Sequence, residues 1–235
     1  MRKDKRAREI MGTGPEGKAI VTAVLAARRK VRADRHEWQR PTRFSTIQCR
    51  MWLPFNETKA TQAASRLLVL GGGRMEYIKL IKLLYFLDRA SLLKWGRPVT
   101  TDRYVSMANG PVVRRIYDLI SEPPAQEVES FWRRHISPPS KYVVRLLREA
   151  GSTELSPAED KLICSVFKKY GSKHWTDLIS ISHTFKEWHD PEKRRVTEIA
   201  IRDILKAGNK ADSEIEEIER ELESLAVVER MISPE

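Results

Sequence analysis

The pattern of hydrophobic and polar positions predicts a mainly helical chain with one dominant central helix. In the segment 76–95, apolar side chains cover nearly the whole helical circumference, so little of this helix can face water. Asp88 and Arg89 fall at the end of the segment, where an unpaired buried charge is costly, and both are expected to have partners. The turn that begins at Gly96 should end the helix and reverse the chain.

Helix-capping residues predict further helices on both sides of the central one. Asn56 is a suitable N-cap for a first helix, which the glycines at 71–73 should end. Ser156 and Glu159 form a capping-box pattern that should open another helix. The predicted flanking helices cover residues 56–70, 112–120, 157–170, 176–188 and 196–207.

Two short regions show the alternation that is typical of strands. The first contains Tyr104 and should be broken by the turn at 109–111. The second would be a hairpin of residues 131–136 and 142–147 that pairs with the first. The predicted fold is therefore mainly α (α+β): a compact helical domain around a buried central helix, with a small antiparallel β-sheet and a C-terminal amphipathic helix.

Length and charge divide the chain into three parts. Its 235 residues, 41% of them hydrophobic, suffice for one ordinary domain with appendages. The net charge of +11 is uneven, because residues 1–50 hold 14 Lys and Arg against 5 Asp and Glu, whereas 212–235 hold 2 against 9. We therefore expect a basic extension over 1–50, either flexible or the product of an over-called start codon. A domain over 51–208 and an acidic amphipathic helix over 209–235 should follow.

The C-terminal helix leaves two structural alternatives open. Its apolar residues lie near heptad spacing, but fewer than three heptads are present, which is short for a coiled coil. The helix could dock on its own domain or on a partner. Homodimerisation through residues 212–232 is one form of the second alternative.

The chemistry-bearing side chains form no recognisable catalytic or metal-binding motif. Cys164, His174, His183 and His189 lack zinc-ligand spacing, and neither cysteine lies in a CxxC motif. His183 is expected to hydrogen-bond inside the domain and to pack with Trp188. We therefore predict a protein that is not an enzyme and that has no cofactor and no metal site.

Two acidic residues, Asp88 and Asp102, could converge as a pair of acids. Pairing with Arg89, Arg97 or Arg103 is the favoured interpretation, because these flanking arginines supply the compensating charge directly. Under this interpretation both acids have a structural role.

The apolar runs are too short to predict a membrane segment. The longest, residues 20–27, falls well below the ~20 residues that span a bilayer. A basic cluster at 28–30 follows it where a secretory signal would have small cleavage-site residues. We expect a cytoplasmic protein without a membrane partner.

An ordered set of motifs provides the most specific signal. KLLYFLDR at 82–89, GRPV at 96–99, DRYVSM at 102–107 and SHTFKEW at 182–188 together resemble the Panacea domain, the SocA-like antitoxin domain that is also described as phage-associated and GepA-like. The resemblance covers roughly residues 52–207. The positions that match the family motif, for which a structural or partner-binding role is expected, are Lys82, Tyr85, Asp88, Arg89, Gly96, Arg97, Pro98, Asp102, Tyr104, Gly110, Pro111, His183 and Trp188.

The resemblance implies an antitoxin that binds and neutralises a toxin encoded beside it, often in a prophage. It also implies that such an antitoxin can be a proteolytic adaptor that delivers the toxin to the ClpXP protease. Exposed aromatic side chains and arginines dominate interface energies, which suggests Trp132, Arg133, Arg134 and Tyr142 as a toxin interface. The equally favoured alternative is that these residues form the surface and the core of the predicted sheet. The alternative function is a nucleic-acid-binding regulatory protein that acts through the basic residues 1–50.

Overall fold

A computed structural model describes residues 53–121, 130–191 and 196–232, and in these ranges the chain is mainly α-helical with two small antiparallel sheets. The helices are α1 (Glu57–Leu70), α2 (Tyr77–Trp95), α3 (Arg114–Ser121), α4 (Phe131–His135), α5 (Pro157–Tyr170), α6 (Trp175–His183), α7 (Ile201–Ala207) and α8 (Asp212–Ile232). The strands are β1 (Arg74–Glu76), β2 (Tyr104–Ser106), β3 (Val112–Val113), β4 (Val143–Arg145) and β5 (Thr197–Ile199). The predicted fold class is confirmed.

Helix α2 is the centre of the domain, as its hydrophobic pattern predicts. It packs against α1, α5, α6 and α7, and its leucines at 80, 83, 84, 87 and 92 are fully buried. Burial of one such side chain contributes about 1.5–3 kcal/mol, so this helix supplies a large part of the core. It ends at Gly96, which is in the left-handed conformation at φ 72° and donates its N–H to Leu92 O at 2.9 Å.

Helices α1 and α5 begin at the caps that the sequence predicts. The Asn56 side chain accepts from Lys59 N at 2.9 Å, and Gly71 ends α1. Ser156 and Glu159 form the capping box of α5, with Pro157 in the first turn. These caps satisfy N–H groups that a helix start leaves without intrahelical partners.

The predicted single sheet is wrong, because the strands form two sheets. In one, β1 pairs with β4; in the other, the order is β3–β2–β5, and all pairs are antiparallel. The segment 131–136 is mostly helix α4 and not a strand: the Ser130 hydroxyl accepts from Arg133 N at 3.2 Å, and a Glu57 carboxylate oxygen accepts from Trp132 N at 2.8 Å. Local capping therefore overrides the strand-like alternation.

Three predicted helix boundaries also differ. The segment 112–120 begins as β3, and its helix starts only at Arg114, whose N–H donates to Arg103 O at 2.7 Å. Helix α6 ends at His183, five residues before the predicted end at 188. The segment 196–207 begins as strand β5, and α7 starts at Ile201. In the first and third segments, two or three residues pair with β2 before the chain turns helical.

Helix α8 docks on its own domain. Ile215, Leu222 and Ala226 are buried, and α8 packs against α7. Glu219 of α8 forms an ion pair with Arg202 of α7, and Glu221 of α8 forms one with Arg97 in the loop after α2. The predicted amphipathic helix is confirmed, while homodimerisation through 212–232 stays a prediction. In the parts of the chain that the structure describes, no helix combines the length and the apolar character needed to cross a bilayer. The basic residues 1–50 lie outside the described residues.

Candidate functional site

Four family-motif side chains of α2 project into one buried polar cluster. Lys82, Tyr85 and Arg89 recur at helical spacing and therefore share a face, and Asp88 lies beside them. Lys82 is only 1% exposed, and its Nζ donates to Pro111 O at 2.7 Å. Burial lowers the pKa of Lys82 well below its ordinary value. The cause is burial, which removes water from the charged ammonium group and so disfavours the charged form.

Gly110 is where the cluster is packed most tightly. It has φ 88°, and a Cβ built at this position would overlap Ser182 Oγ and lie 2.8 Å from Lys82 Nζ. Both the backbone conformation and the available space therefore require glycine here. The Gly110–Pro111 turn, α2 and the end of α6 consequently meet at this one point.

Glu187 joins Tyr85 and Arg89. Its Oε1 accepts from Tyr85 OH at 3.0 Å and from Arg89 Nε at 2.6 Å, and the residue is 3% exposed. The Arg89 guanidinium also lies 4.3 Å from the centroid of the Phe185 ring. Burial, together with the Glu187 charge, raises the pKa of Tyr85 well above its ordinary value. The tyrosine is therefore a permanent donor.

Asp88 ties the end of α2 to the loop before β2. It accepts from the N–H groups of Val99 and Thr100, both at 2.9 Å, from the Thr100 hydroxyl, and from Tyr104 OH at 3.0 Å. Burial raises the pKa of Asp88 to about 6, although these hydrogen bonds act in the opposite direction. Burial also raises the pKa of Tyr104 well above its ordinary value, and the Asp88 charge adds to this.

Asp102 caps α3 from outside the helix. Its carboxylate accepts from the main-chain N–H groups of Arg103 (2.6 Å), Arg115 (2.7 Å) and Ile116 (2.9 Å). Burial raises the pKa of Asp102 to about 7, and the nearby Asp88 charge adds to the rise. This carboxylate therefore fixes where β3 gives way to helix.

The predicted pairing of these acids with Arg89 or Arg97 is wrong. Arg89 pairs with Glu187, and Arg97 pairs with Glu221 on α8. Arg97 is exposed, whereas its neighbour Pro98 is buried. Main-chain N–H groups and hydroxyls satisfy the two carboxylates instead, because the loops around residues 99–104 and 114–116 bring these donors to them.

His183 and Trp188 close the cluster on the β2 side. Their rings stack at a centroid distance of 4.0 Å with 9° between the planes, which confirms the predicted packing. Trp188 Nε1 donates to Met107 O at 3.1 Å, just beyond β2. The segment after α6 is thereby attached to the sheet.

The four residues expected at a toxin interface have different environments. Trp132 is 1% exposed, so the expectation that it is an exposed side chain is wrong: it is a core residue of α4. Arg133 is half-buried and Arg134 is exposed. Tyr142 is 40% exposed and stacks on Tyr77 at a centroid distance of 6.3 Å. Arg133, Arg134 and Tyr142 are therefore exposed enough to contact a partner.

The cluster can hold segments together, and three of its charged groups are shielded from solvent. Lys82, Asp88 and Asp102 are each at most 1% exposed. Among the described residues, no group of three or more His, Cys, Asp or Glu side chains is placed to hold a metal ion. Cys164 is half-buried on α5, where Arg66 Nη2 lies 3.6 Å from its sulfur.

Sequence reasoning missed the residues that complete the cluster. Ser182 and Glu187 lie inside the SHTFKEW motif but are not among the family-motif positions named above, and Thr100 has no local signal. Glu187 acts through its contact with Tyr85 (|i−j| = 102), and Ser182 lies against Gly110, so both roles depend on segments that are far apart in the chain. Thr100 reaches Asp88 across only 12 residues, through the loop after α2. A buried acid in the motif beside two aromatic residues was the one available indication.

Comparison with known proteins identifies the matched segment. Residues 80–189 match the family model described as "Antitoxin SocA-like, Panacea domain". The match is narrower than the resemblance over 52–207 and contains all the family-motif positions named above. No curated protein and no solved structure matches the chain.

Proposed function

Because residues 80–189 match the family model described as "Antitoxin SocA-like, Panacea domain", we propose that the protein is the antitoxin of a toxin–antitoxin pair. It neutralises the product of a neighbouring gene by direct protein–protein binding in the cytoplasm. The family match is the single observation that carries this proposal.

The environment of the family-motif residues supports binding over catalysis. A catalytic group must reach the reacting atoms of a substrate. Lys82, Asp88 and Asp102 are enclosed by the chain itself, and their hydrogen bonds hold α2, α3 and the loops between them. The motif therefore serves as a scaffold, and the partner is expected to meet the outer surface that this scaffold holds in place.

A toxicity-rescue experiment tests the proposed function. Each gene that flanks this one is induced in a bacterial host with and without the protein, and colonies are counted. We expect one neighbour to prevent growth alone and colonies to return on co-expression, with the two proteins eluting together. If no neighbour is toxic, or if toxicity persists with this protein abundant and folded, the proposal is wrong.

The adaptor mechanism extends the same proposal and has its own measurement. If the antitoxin delivers its toxin to ClpXP, the half-life of the toxin should shorten when the antitoxin is present. Rescue should then be lost in a host that lacks the protease. Rescue without ClpXP would instead indicate that binding alone covers the active surface of the toxin.

A further inference from the structure

A groove of about 510 Å³ lies on the outside of the β1–β4 sheet, between the hairpin that leads into β4 and the end of α5. Four basic side chains line it: Arg74, Lys79, Lys141 and Arg145. We call it the cationic groove. Val143 and Phe167 contribute apolar surface, and Glu76 is its acidic residue.

The basic side chains of the cationic groove outnumber its one acidic residue, Glu76, and form no ion pair with the described part of the chain. Basic side chains elsewhere do have such partners, for example Arg66 with Asp160 and Arg202 with Glu219. The groove therefore concentrates positive charge that the described fold leaves available to an anionic partner.

The register of the sheet places two of these charges directly opposite one another. Arg74 pairs with Arg145 in the antiparallel β1–β4 ladder. Leu146 N donates to Gly73 O at 2.8 Å, so the adjoining Arg74–Arg145 pair is a non-hydrogen-bonded one, in which side chains lie closest. Like charges opposite each other destabilise a sheet. An arrangement that opposes folding in this way is typical of residues retained for binding.

The hairpin at the rim of the groove is also strained. Ser140 and Val143 exchange both main-chain hydrogen bonds, so Lys141 and Tyr142 form a two-residue loop. Both loop residues have positive φ, 51° and 70°, in a turn that normally takes Asn-Gly. The strained loop presents Lys141 and Tyr142 to solvent beside the groove. Tyrosine and arginine are the side chains that most often dominate binding energy at protein interfaces.

We propose that the cationic groove is the docking surface for the toxin and takes a polypeptide segment in which acidic side chains alternate with apolar ones. This inference rests on the proposed function and specifies its interface. The acidic side chains meet Arg74, Lys141 and Arg145, and an apolar side chain lies on Val143 and Phe167. A nucleic-acid strand fits less well, because the apolar surface of Val143 and Phe167 offers its phosphates no hydrogen bonds.

Binding is tested with the full-length protein and a fluorescent heptapeptide of alternating acidic and apolar residues. The groove variant is Arg74→Gln/Lys141→Gln/Arg145→Gln. The control variant, Arg115→Gln/Lys161→Gln/Lys186→Gln, removes the same charge from exposed side chains for which the structure gives no ion pair. We expect the groove variant to bind at least about tenfold more weakly and the control to stay within about twofold, since each surface ion pair contributes a factor of a few.

A heptathymidylate of the same length is titrated in parallel. Peptide binding that is absent, that survives in the groove variant, or that falls equally in the control would overturn the inference. Oligonucleotide binding at the groove as tight as peptide binding would overturn it as well, in favour of a nucleic-acid surface.

The rescue experiment, run with the same variants, separates this inference from the proposed function. Rescue by the wild type and the control, but not by the groove variant, supports both. Equal rescue by the groove variant overturns the docking surface and leaves the antitoxin role intact. Failure of the wild type to rescue from any flanking gene overturns the antitoxin role, whereas the peptide titration still decides what the groove binds.

Discussion

Substitution of Gly110 by alanine provides a stringent test of the packing around Lys82. The new Cβ would overlap Ser182 Oγ and lie 2.8 Å from Lys82 Nζ, in a residue with φ 88°. The left-handed conformation costs about 1–2 kcal/mol for a residue with a side chain. Overpacking of a tight core adds about 1–3 kcal/mol. We therefore expect Gly110→Ala to lower the free energy of unfolding by about 2–5 kcal/mol.

Gly151 offers a matched control for the backbone contribution. It has φ 73°, but a Cβ built there meets no atom within 4 Å. Gly151→Ala should therefore cost only the conformational part, about 1–2 kcal/mol. The difference between the two variants measures the steric overlap at Gly110. Urea unfolding, followed by the fluorescence of the six tryptophans, gives both values.

A double substitution tests which atom is responsible. Ser182→Ala removes the hydroxyl that the new Cβ would meet, so the double variant with Gly110→Ala should be more stable than the two single effects predict by addition. Contacting residues typically couple by about 0.5–3 kcal/mol. Additive effects, or a Gly110→Ala variant no less stable than Gly151→Ala, would refute the packing argument.

Three further predictions concern stability and function. Because folding lowers the pKa of Lys82, the unfolded state binds more protons than the folded state. The free energy of unfolding should therefore rise from pH 7 to pH 9, by up to about 1.4 kcal/mol per pH unit. Urea unfolding at both pH values should show that this rise disappears in Lys82→Met and persists in the control Lys161→Met. The double substitution Lys141→Asn/Tyr142→Gly should raise the melting temperature, because it relieves the strain of two residues with positive φ. The same variant should bind the peptide more weakly. An unchanged or lower melting temperature would contradict the claim that the loop is strained. A chain of residues 51–235 should still rescue in the colony assay, and a salt-sensitive gel shift that requires residues 1–50 would instead favour the nucleic-acid alternative.

The features that could be predicted from the sequence are those fixed by nearby residues. The capping box at Ser156 and the apolar circumference of α2 act within a few helical turns, and both are present in the structure. The sheets could not be predicted in the same way, because their strands are only two or three residues long and show too little alternation. The register of the strands could not be predicted from the sequence either. The pairing of Arg74 opposite Arg145 is therefore evident only in the folded structure.

The partners of the buried acids were mispredicted for a related reason. Charge considerations alone predict that Asp88 pairs with a neighbouring arginine. In the structure it accepts hydrogen bonds from the main-chain N–H groups of Val99 and Thr100 instead, because the chain reverses at Gly96. Sequence patterns show which charges need compensation; they do not show which loops will deliver donors. Hydroxyls and main-chain amides can satisfy a buried carboxylate in place of an ion pair.

The scaffold and the proposed docking surface use different parts of the chain. Arg74 and Lys79 precede the segment 80–189 that matches the Panacea family, whereas the buried polar cluster lies within it. Strand β1 continues directly into α2, and α5, which carries Phe167, packs on the same helix. The cluster that anchors α2 therefore also holds two walls of the cationic groove in place before a partner arrives. Preorganisation of this kind reduces the entropy lost on binding. Because none of the groove's basic side chains belongs to the polar cluster, substitutions in the proposed docking surface should change peptide binding without disturbing the cluster.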